Sequence, residues 1–259
     1  MLKRIKKLFC KEESLIEPPA NLMLSEEEIR AFTKDGLSAF KYNYMDHSTP
    51  EVQALMNKTF TKNTFKKYQE MVRRRESNYY GQTDNYIYEA LKEFSIQKKD
   101  LCIFGSATPW YEALALEFGV EKCYVIEYSE RKSFDDRVVY IKPEDQYSRN
   151  YDVAFSVSSF EHDGLGRYGD PVSADGDLVA MKNAKKVVSK NGLLFLSLPV
   201  GKDTIYFNSH RIYGRNRLPL MFEGWELVKA FGYKEKDLKN TRNSGSSTPY
   251  QPLFILRNT

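Results

Sequence analysis

Cysteine is scarce in this chain, and Cys10, Cys102 and Cys123 stand too far apart to form any C-x-x-C pair. That excludes a disulfide framework or a cysteine-based zinc knuckle as the organising feature, and makes a reducing, cytoplasmic compartment the simplest expectation. Long apolar runs are missing as well, so no membrane-spanning helix is expected. An excess of one charge is also absent: 39 basic residues against 35 acidic ones give a net charge of +4, a mixed surface that carries no expectation of nucleic-acid binding. Only the first eleven residues, MLKRIKKLFCK, concentrate basic charge. They read as a short basic amphipathic helix, either a solvated start or a weak peripheral contact with an anionic membrane surface.

What the 259 residues do contain is two rhythms. Residues 12–98 read mostly as helices. Ser25 and Glu28 have capping-box spacing, Thr49-Pro50 marks a second start, Phe65, Tyr68, Met71 and Val72 share a third helical face, and Tyr86, Ala90, Leu91 and Phe94 a fourth. From Asp100 onward strands and helices alternate, which argues for a mostly parallel sheet covered on both faces. Strands are expected at 101–104, 124–126, 138–141, 153–157, 193–198 and 252–256. Helices are expected after Gly105, along the stripe Leu178, Met181, Ala184 and Val188 up to Asn191-Gly192, and along Trp225, Val228 and Phe231. The fold class is therefore α/β, a doubly wound seven-stranded sheet at residues 99–259. Residues 1–98 form a basic start and a helical extension or lid.

In such sheets the first strand-to-helix turn meets the cofactor. Here that turn is Gly105-Ser-Ala-Thr-Pro-Trp110, with one glycine where G-x-G-x-x-G needs three for close approach of a diphosphate. NAD is disfavoured, whereas a cofactor with a ribose and no diphosphate needs only one flexible glycine and an acid for the ribose hydroxyls. Glu127 ends the second strand and is placed for that role. At this point residues 99–259 resemble the class I S-adenosylmethionine-dependent methyltransferase superfamily. Within it, GSATPWYEALALEFG at 105–119, VIEYS at 125–129, SSFEHDGLGRYGDP at 158–171 and the late RLP with Gly224-Trp225 look like a methyltransferase-like family of unknown function first described in nematodes. The resemblance implies S-adenosylmethionine as cofactor, with Gly105, Ser106 and Ala107 along its methionine part, Glu127 and Tyr128 at the ribose, Glu144 or Asp145 at the adenine, and Ser158 and Ser159 opening onto sulfonium and acceptor. Trp110 either closes over the cofactor or buries itself under the sheet.

The segment DVAFSVSSFEHDGLGRYGDP at 152–171 concentrates reactive groups behind an apolar strand. Methyl transfer to an alcohol or amine benefits from a base, and His162, oriented by Glu161 or Asp163, is the natural candidate; the same pair can instead anchor the loop. Arg167, Tyr168 and Asp170 offer a fork, a stacking face and an acid for a small, carbohydrate-linked or anionic acceptor, although Arg167 and Asp170 could equally be an internal strut. A second polar cluster, Asn208, His210, Arg211, Tyr213, Arg215 and Arg217, follows the fifth strand and is expected to face this loop. His162 and His210 with Asp163 or Asp170 would be the only candidate metal set, and without an H-E-x-x-H pattern no metal is expected. The leading expectation is an S-adenosylmethionine-dependent methyltransferase with a small-molecule acceptor. The alternatives are a catalytically inactive binding protein of the same fold and an enzyme using NAD or a nucleotide-sugar.

Overall fold

Helix starts in the first part of the chain follow from their caps. In the computed structural model, which describes residues 16–240 and 250–259, Ser25 and Glu28 form a reciprocal capping box ahead of α1 (Glu26–Thr33). Thr49 caps α2 (Pro50–Asn57) through the Val52 N–H, and Thr61 caps α3 (Lys62–Arg73) through the Thr64 N–H. A fourth helix, α4 (Gln82–Glu93), follows the Gly81 turn. The basic segment at residues 1–11 lies outside the described residues.

Between α1 and α2 the structure departs from the helical reading. Strand β1 (Ala39–Asn43) alternates Phe40 and Tyr42 with Lys41 and Asn43, and pairs in parallel with a strand some 160 residues later. Five residues are too few for a period to stand out against flanking helices, and the partner is remote, so the strand is set by tertiary pairing.

The second part alternates: β2 (Asp100–Phe104), α5 (Trp110–Glu117), β3 (Lys122–Ile126), β4 (Val138–Ile141), β5 (Tyr151–Val157), α6 (Gly176–Val187) and β6 (Val188–Ser197). It continues through β7 (Thr204–Asn208), β8 (His210–Ile212), the short α7 (Leu218–Met221), β9 (Trp225–Phe231) and β10 (Leu253–Asn258). Seven strands form one sheet in the order β4-β3-β2-β5-β6-β10-β9, parallel except for β10, which runs antiparallel to both neighbours. Alternate residues of β2 feed opposite layers. Leu101 and Ile103 join Tyr68, Ile87 and Leu114 from α3, α4 and α5 on one face; Cys102 and Phe104 join Met181, Ala184 and Val187 of α6 on the other. This is the doubly wound methyltransferase-like architecture implied by the resemblance.

Three expectations are corrected. The stripe ending at Asn191-Gly192 stops earlier: α6 ends at Val187 and β6 begins directly at Val188. Trp225, Val228 and Phe231 lie on strand β9, not on a helix. In the β9–β10 register Lys229 faces Ile255 while Leu227 faces Leu256, so Val228 is an extra residue, a bulge that turns Trp225 toward one core layer and Phe231 toward the other. The bulge produces three-residue apolar spacing, which imitates a helix. Finally, the polar cluster after β6 is the hairpin β7–β8, which forms a separate three-stranded sheet with β1.

Candidate functional site

Sheet order reverses between β2 and β5, and a cleft of about 220 Å3 opens there, beyond the carboxyl ends of β2, β3 and β5. Gly105 ends β2 with φ +72°, and a Cβ in its place would sit 2.7 Å from Ser159 Oγ, so only glycine leaves this floor open. The Ser106 N–H then donates to Glu127 Oε2 at 3.0 Å, and the Ser129 N–H donates to Glu127 Oε1 at 3.2 Å. Both oxygens are oriented by backbone at the end of β3, and Glu127 still lines the cleft. Behind it Ser106 Oγ donates to Glu112 Oε1 at 2.6 Å, which also accepts from the Tyr140 hydroxyl at 3.2 Å. Glu112 is wholly buried, and burial pushes its carboxyl up to about 7.

Among the residues expected on the cofactor side, Gly105, Ser106, Ala107, Trp110, Glu127, Tyr128, Ser158 and Ser159 come together around the cleft. Trp110 does so from beneath: it is 2 % exposed, and its Nε1 donates to Asp84 Oδ1 at 3.1 Å. Glu144 and Asp145 are not in the wall. They ride the 3-10 turn Pro143–Ser148 after β4, which presents Pro143 and Gln146 instead.

On the opposite side, His162, Asp163, Tyr168 and Asp170 line the cleft with Ser158. His162 Nδ1 lies 2.6 Å from the Ser209 carbonyl oxygen; a carbonyl only accepts, so Nδ1 carries the hydrogen and Nε2 the lone pair. Burial, together with the Arg167 charge, holds this imidazole well below the usual histidine range, which keeps it neutral and makes it a weak base. Asp170 takes the loop-anchoring role, its Oδ2 accepting the Gly164 and Gly166 N–H groups at 2.7 and 3.1 Å and its Oδ1 the Tyr168 N–H at 3.3 Å. Arg167 is 4 % exposed and turns to the Ser209 carbonyl and His47.

The cluster after β6 does not face the cleft. Arg211, 0 % exposed, donates to the carbonyls of Glu161, Asp163, Ser173 and Ala174. The Tyr213 hydroxyl donates to Asp177 Oδ2 at 2.9 Å, Arg217 binds Asp177 with both Nε and Nη2, and His210 stacks on Tyr206. These groups fix the back of the loop from the second sheet. A sequence shows that arginines are near each other but not which way they point.

Sequence reasoning missed one wall altogether. Asn78, Tyr79 and Tyr80, in the turn before α4, line the cleft, as do Gln53 and Met56 of α2 and Arg131 after β3. Asp84 clamps that turn: its Oδ2 accepts the Asn78 N–H at 2.7 Å, while its Oδ1 accepts the Trp110 Nε1 hydrogen and the Tyr111 hydroxyl at 2.9 Å. The one signal available was the aromatic pair Tyr79-Tyr80 set against Gly81.

The family model described as "Caenorhabditis protein of unknown function, DUF268" matches residues 98–253, more than half of the chain. The protein belongs to this family. Its matched region runs from just before β2 to the first residue of β10 and so takes in six strands of the seven-stranded sheet and the start of the seventh, whereas α1–α4 and β1 precede it. No curated protein matches the sequence. Among solved structures, the chain is similar to a protein from Streptococcus mutans described provisionally as an S-adenosylmethionine-dependent methyltransferase, at 12% identity, 68% coverage of this chain, 48% of the other and a TM-score of 0.45. The chain thus spans about half the length of that protein. The N-methyltransferase NodS from Bradyrhizobium japonicum, solved with S-adenosyl-L-homocysteine, is similar at 12% identity over 74% of this chain and 98% of its own, with a TM-score of 0.46. A methyltransferase from Mesorhizobium loti is similar at 12% identity over 66% and 97%, with a TM-score of 0.41.

Proposed function

We propose that this protein binds S-adenosylmethionine and transfers its methyl group to a small acceptor bearing hydroxyl or amine groups. The observation that carries the reading is the pairing of Gly105 and Glu127 at the switch point: an open glycine floor that a Cβ would fill, beside a carboxylate whose two oxygens are aimed by the Ser106 and Ser129 N–H groups. A cofactor with a ribose and no diphosphate fits such a turn. Gly105, Ser106 and Ala107 would hold its amino-acid part, Glu127 its ribose hydroxyls, and Pro143 with Gln146 its base. Bound there, the cofactor supplies an electrophilic methyl group on a sulfonium.

The chain's own residues then set the acceptor. Tyr79, Tyr80 and Tyr168 give aromatic faces, and Ser158, Asp163 and Asp170 give polar ones. The arginines that suggested an anionic acceptor, Arg167 and Arg211, are spent on backbone carbonyls, so an aromatic wall with hydroxyl and carboxyl groups suits a polyhydroxylated, carbohydrate-like molecule better. Calorimetric titration with S-adenosyl-L-homocysteine tests the reading. Saturable binding is expected for the native protein, with at least a tenfold loss for Glu127→Ala; no heat from the native protein would overturn it.

A further inference from the structure

We infer that Ser158 and Glu161 form a proton relay leading from the cleft into the protein interior, with Ser158 meeting the acceptor and Glu161 as the final proton holder. The inference rests on the methyl-transfer reading and goes beyond it by replacing His162, the residue the sequence favours, as the base.

The geometry comes from two side chains converging on one hydroxyl that lines the cleft. Ser158 stands directly after β5 with φ +52°, a left-handed conformation that is uncommon for a residue other than glycine and that clusters at functional sites. Its Oγ donates to Glu161 Oε1. Gln251 Nε2 donates to the same Oγ at 3.1 Å. A serine hydroxyl has one hydrogen and two lone pairs. With the hydrogen committed to Glu161 and one lone pair taken by Gln251, the second lone pair is left to accept from a ligand in the cleft, which orders the hydrogens in one direction: cleft to Ser158 to Glu161. Tyr80 and Ser158 line the cleft, while Glu161 is 1 % exposed behind them. Glu161 Oε2 is buried with no hydrogen-bond partner, so nothing but its protonation state answers its burial.

The proton balance closes. The acceptor gives its proton to the Ser158 oxygen as Ser158 passes its own to Glu161 Oε1. The acceptor keeps the electron pair and uses it in the new bond to the methyl carbon. Glu161 suits the receiving end because burial lifts its carboxyl to about 7, against the lowering effect of the Ser158 hydrogen bond and the charges of Arg167 and Arg211. The other titratable groups facing it are His162, Asp163, Tyr168 and Tyr213. His162 is the poorer base: burial and the Arg167 charge hold it well below the usual histidine range, and its Nε2, 3.7 Å from Glu161 Oε1, is outside hydrogen-bond distance of the relay while its Nδ1 is committed to Ser209.

The test reads Glu161 directly in the cofactor-free protein, by carbon NMR of carboxyl-labelled glutamate between pH 5 and 9, with the resonance assigned by its loss in Glu161→Gln. A midpoint near 7 is expected. Ser158→Gly, which suits the left-handed backbone and so folds, should move that midpoint upward by about one pH unit because the carboxylate loses its donor. A midpoint in the ordinary carboxylate range, or one that ignores Ser158→Gly, overturns the relay. Titration of the same samples with S-adenosyl-L-homocysteine separates this from the methyl-transfer reading: intact binding with an ordinary midpoint sinks the relay alone, and absent binding sinks the cofactor alone.

Discussion

Gly105 carries two constraints at once, a positive φ and the nearness of Ser159, and they can be separated. Gly105→Ala places a Cβ in a left-handed conformation that costs an L-residue about 1–2 kcal/mol, and brings it 2.7 Å from Ser159 Oγ. The expected outcome is a lowered melting temperature and loss of S-adenosyl-L-homocysteine binding. Adding Ser159→Gly removes the close contact and should restore part of the stability while the backbone strain remains; melting curves with and without the ligand read both. If the double variant melts no higher than the single one, the contact is not a source of the cost. This residue was legible in the sequence because a lone glycine ending a strand has few other uses, and Glu127 was legible because strand-terminal acids sit at a fixed distance from it. Tyr80 was not. Its place on the cleft depends on Asp84 pulling the Asn78 N–H toward Trp110 and Tyr111, a contact across more than twenty residues that leaves no local pattern. Arg211 and Tyr213 failed for the converse reason, since their residue types suggest binding while their burial makes them structural, and His210 stacks on Tyr206 away from the cleft.

At the scale of elements, the hairpin β7–β8 and strand β1 make a small second sheet whose inward side steadies the loop after β5. Arg211 on β8 is its main instrument. Its guanidinium spans four loop carbonyls and lies 3.7 Å from Asp177 Oδ1. Burial alone would raise the Asp177 carboxyl, but Arg211 and Arg217 outweigh it and hold Asp177 below the usual carboxylate range. Arg211→Met keeps much of the stem volume while removing the charge and the donors. Unfolding in urea should show a loss of about 3–5 kcal/mol, the cost of leaving a buried partner short of its counter-ion. A loss below about 1 kcal/mol would mean that Arg217 alone satisfies Asp177. Most strands and helices of the large sheet could be read from apolar period, because each is long enough and locally consistent. The exception in that sheet is β9, whose bulge at Val228 breaks the alternation, while the short strands of the small sheet, β1, β7 and β8, are set by pairing with one another, β1 with a remote partner.

Across the whole molecule the buried ionisable groups pull stability in opposite directions with pH. The folded protein holds Glu112 and Glu161 at about 7 and Asp163 well above its ordinary value, in each case chiefly through burial. Folded carboxyls with raised pKa values bind protons that the unfolded chain has released. Their favourable contribution is complete below the ordinary carboxylate range and is lost as pH rises through the folded values. The three histidines do the reverse. Burial first, and the charge of Arg167 next, lower His47 and His210 to about 3 and His162 well below 6.5, so their contribution is complete above pH 6.5 and is lost as pH falls toward the folded values. Between pH 5 and 6.5 the three depressed histidines oppose the raised carboxyls of Glu112, Glu161, Asp163 and Asp84, and each group changes stability by about 1.4 kcal/mol per pH unit where its folded and unfolded forms differ fully. The native protein should therefore show a shallow slope of unfolding free energy across that window. Replacing His47 and His210 together with glutamine removes two rising contributions and leaves only His162 against the carboxyls, so the slope should turn downward with rising pH by up to about 3 kcal/mol per unit relative to the native protein. The slope, not the absolute stability, carries the result, because packing lost with the two imidazoles shifts every pH equally. Urea unfolding at half-unit steps from pH 5 to 6.5 measures it, and a double variant as flat as the native protein would show that the histidines are not held neutral by the fold.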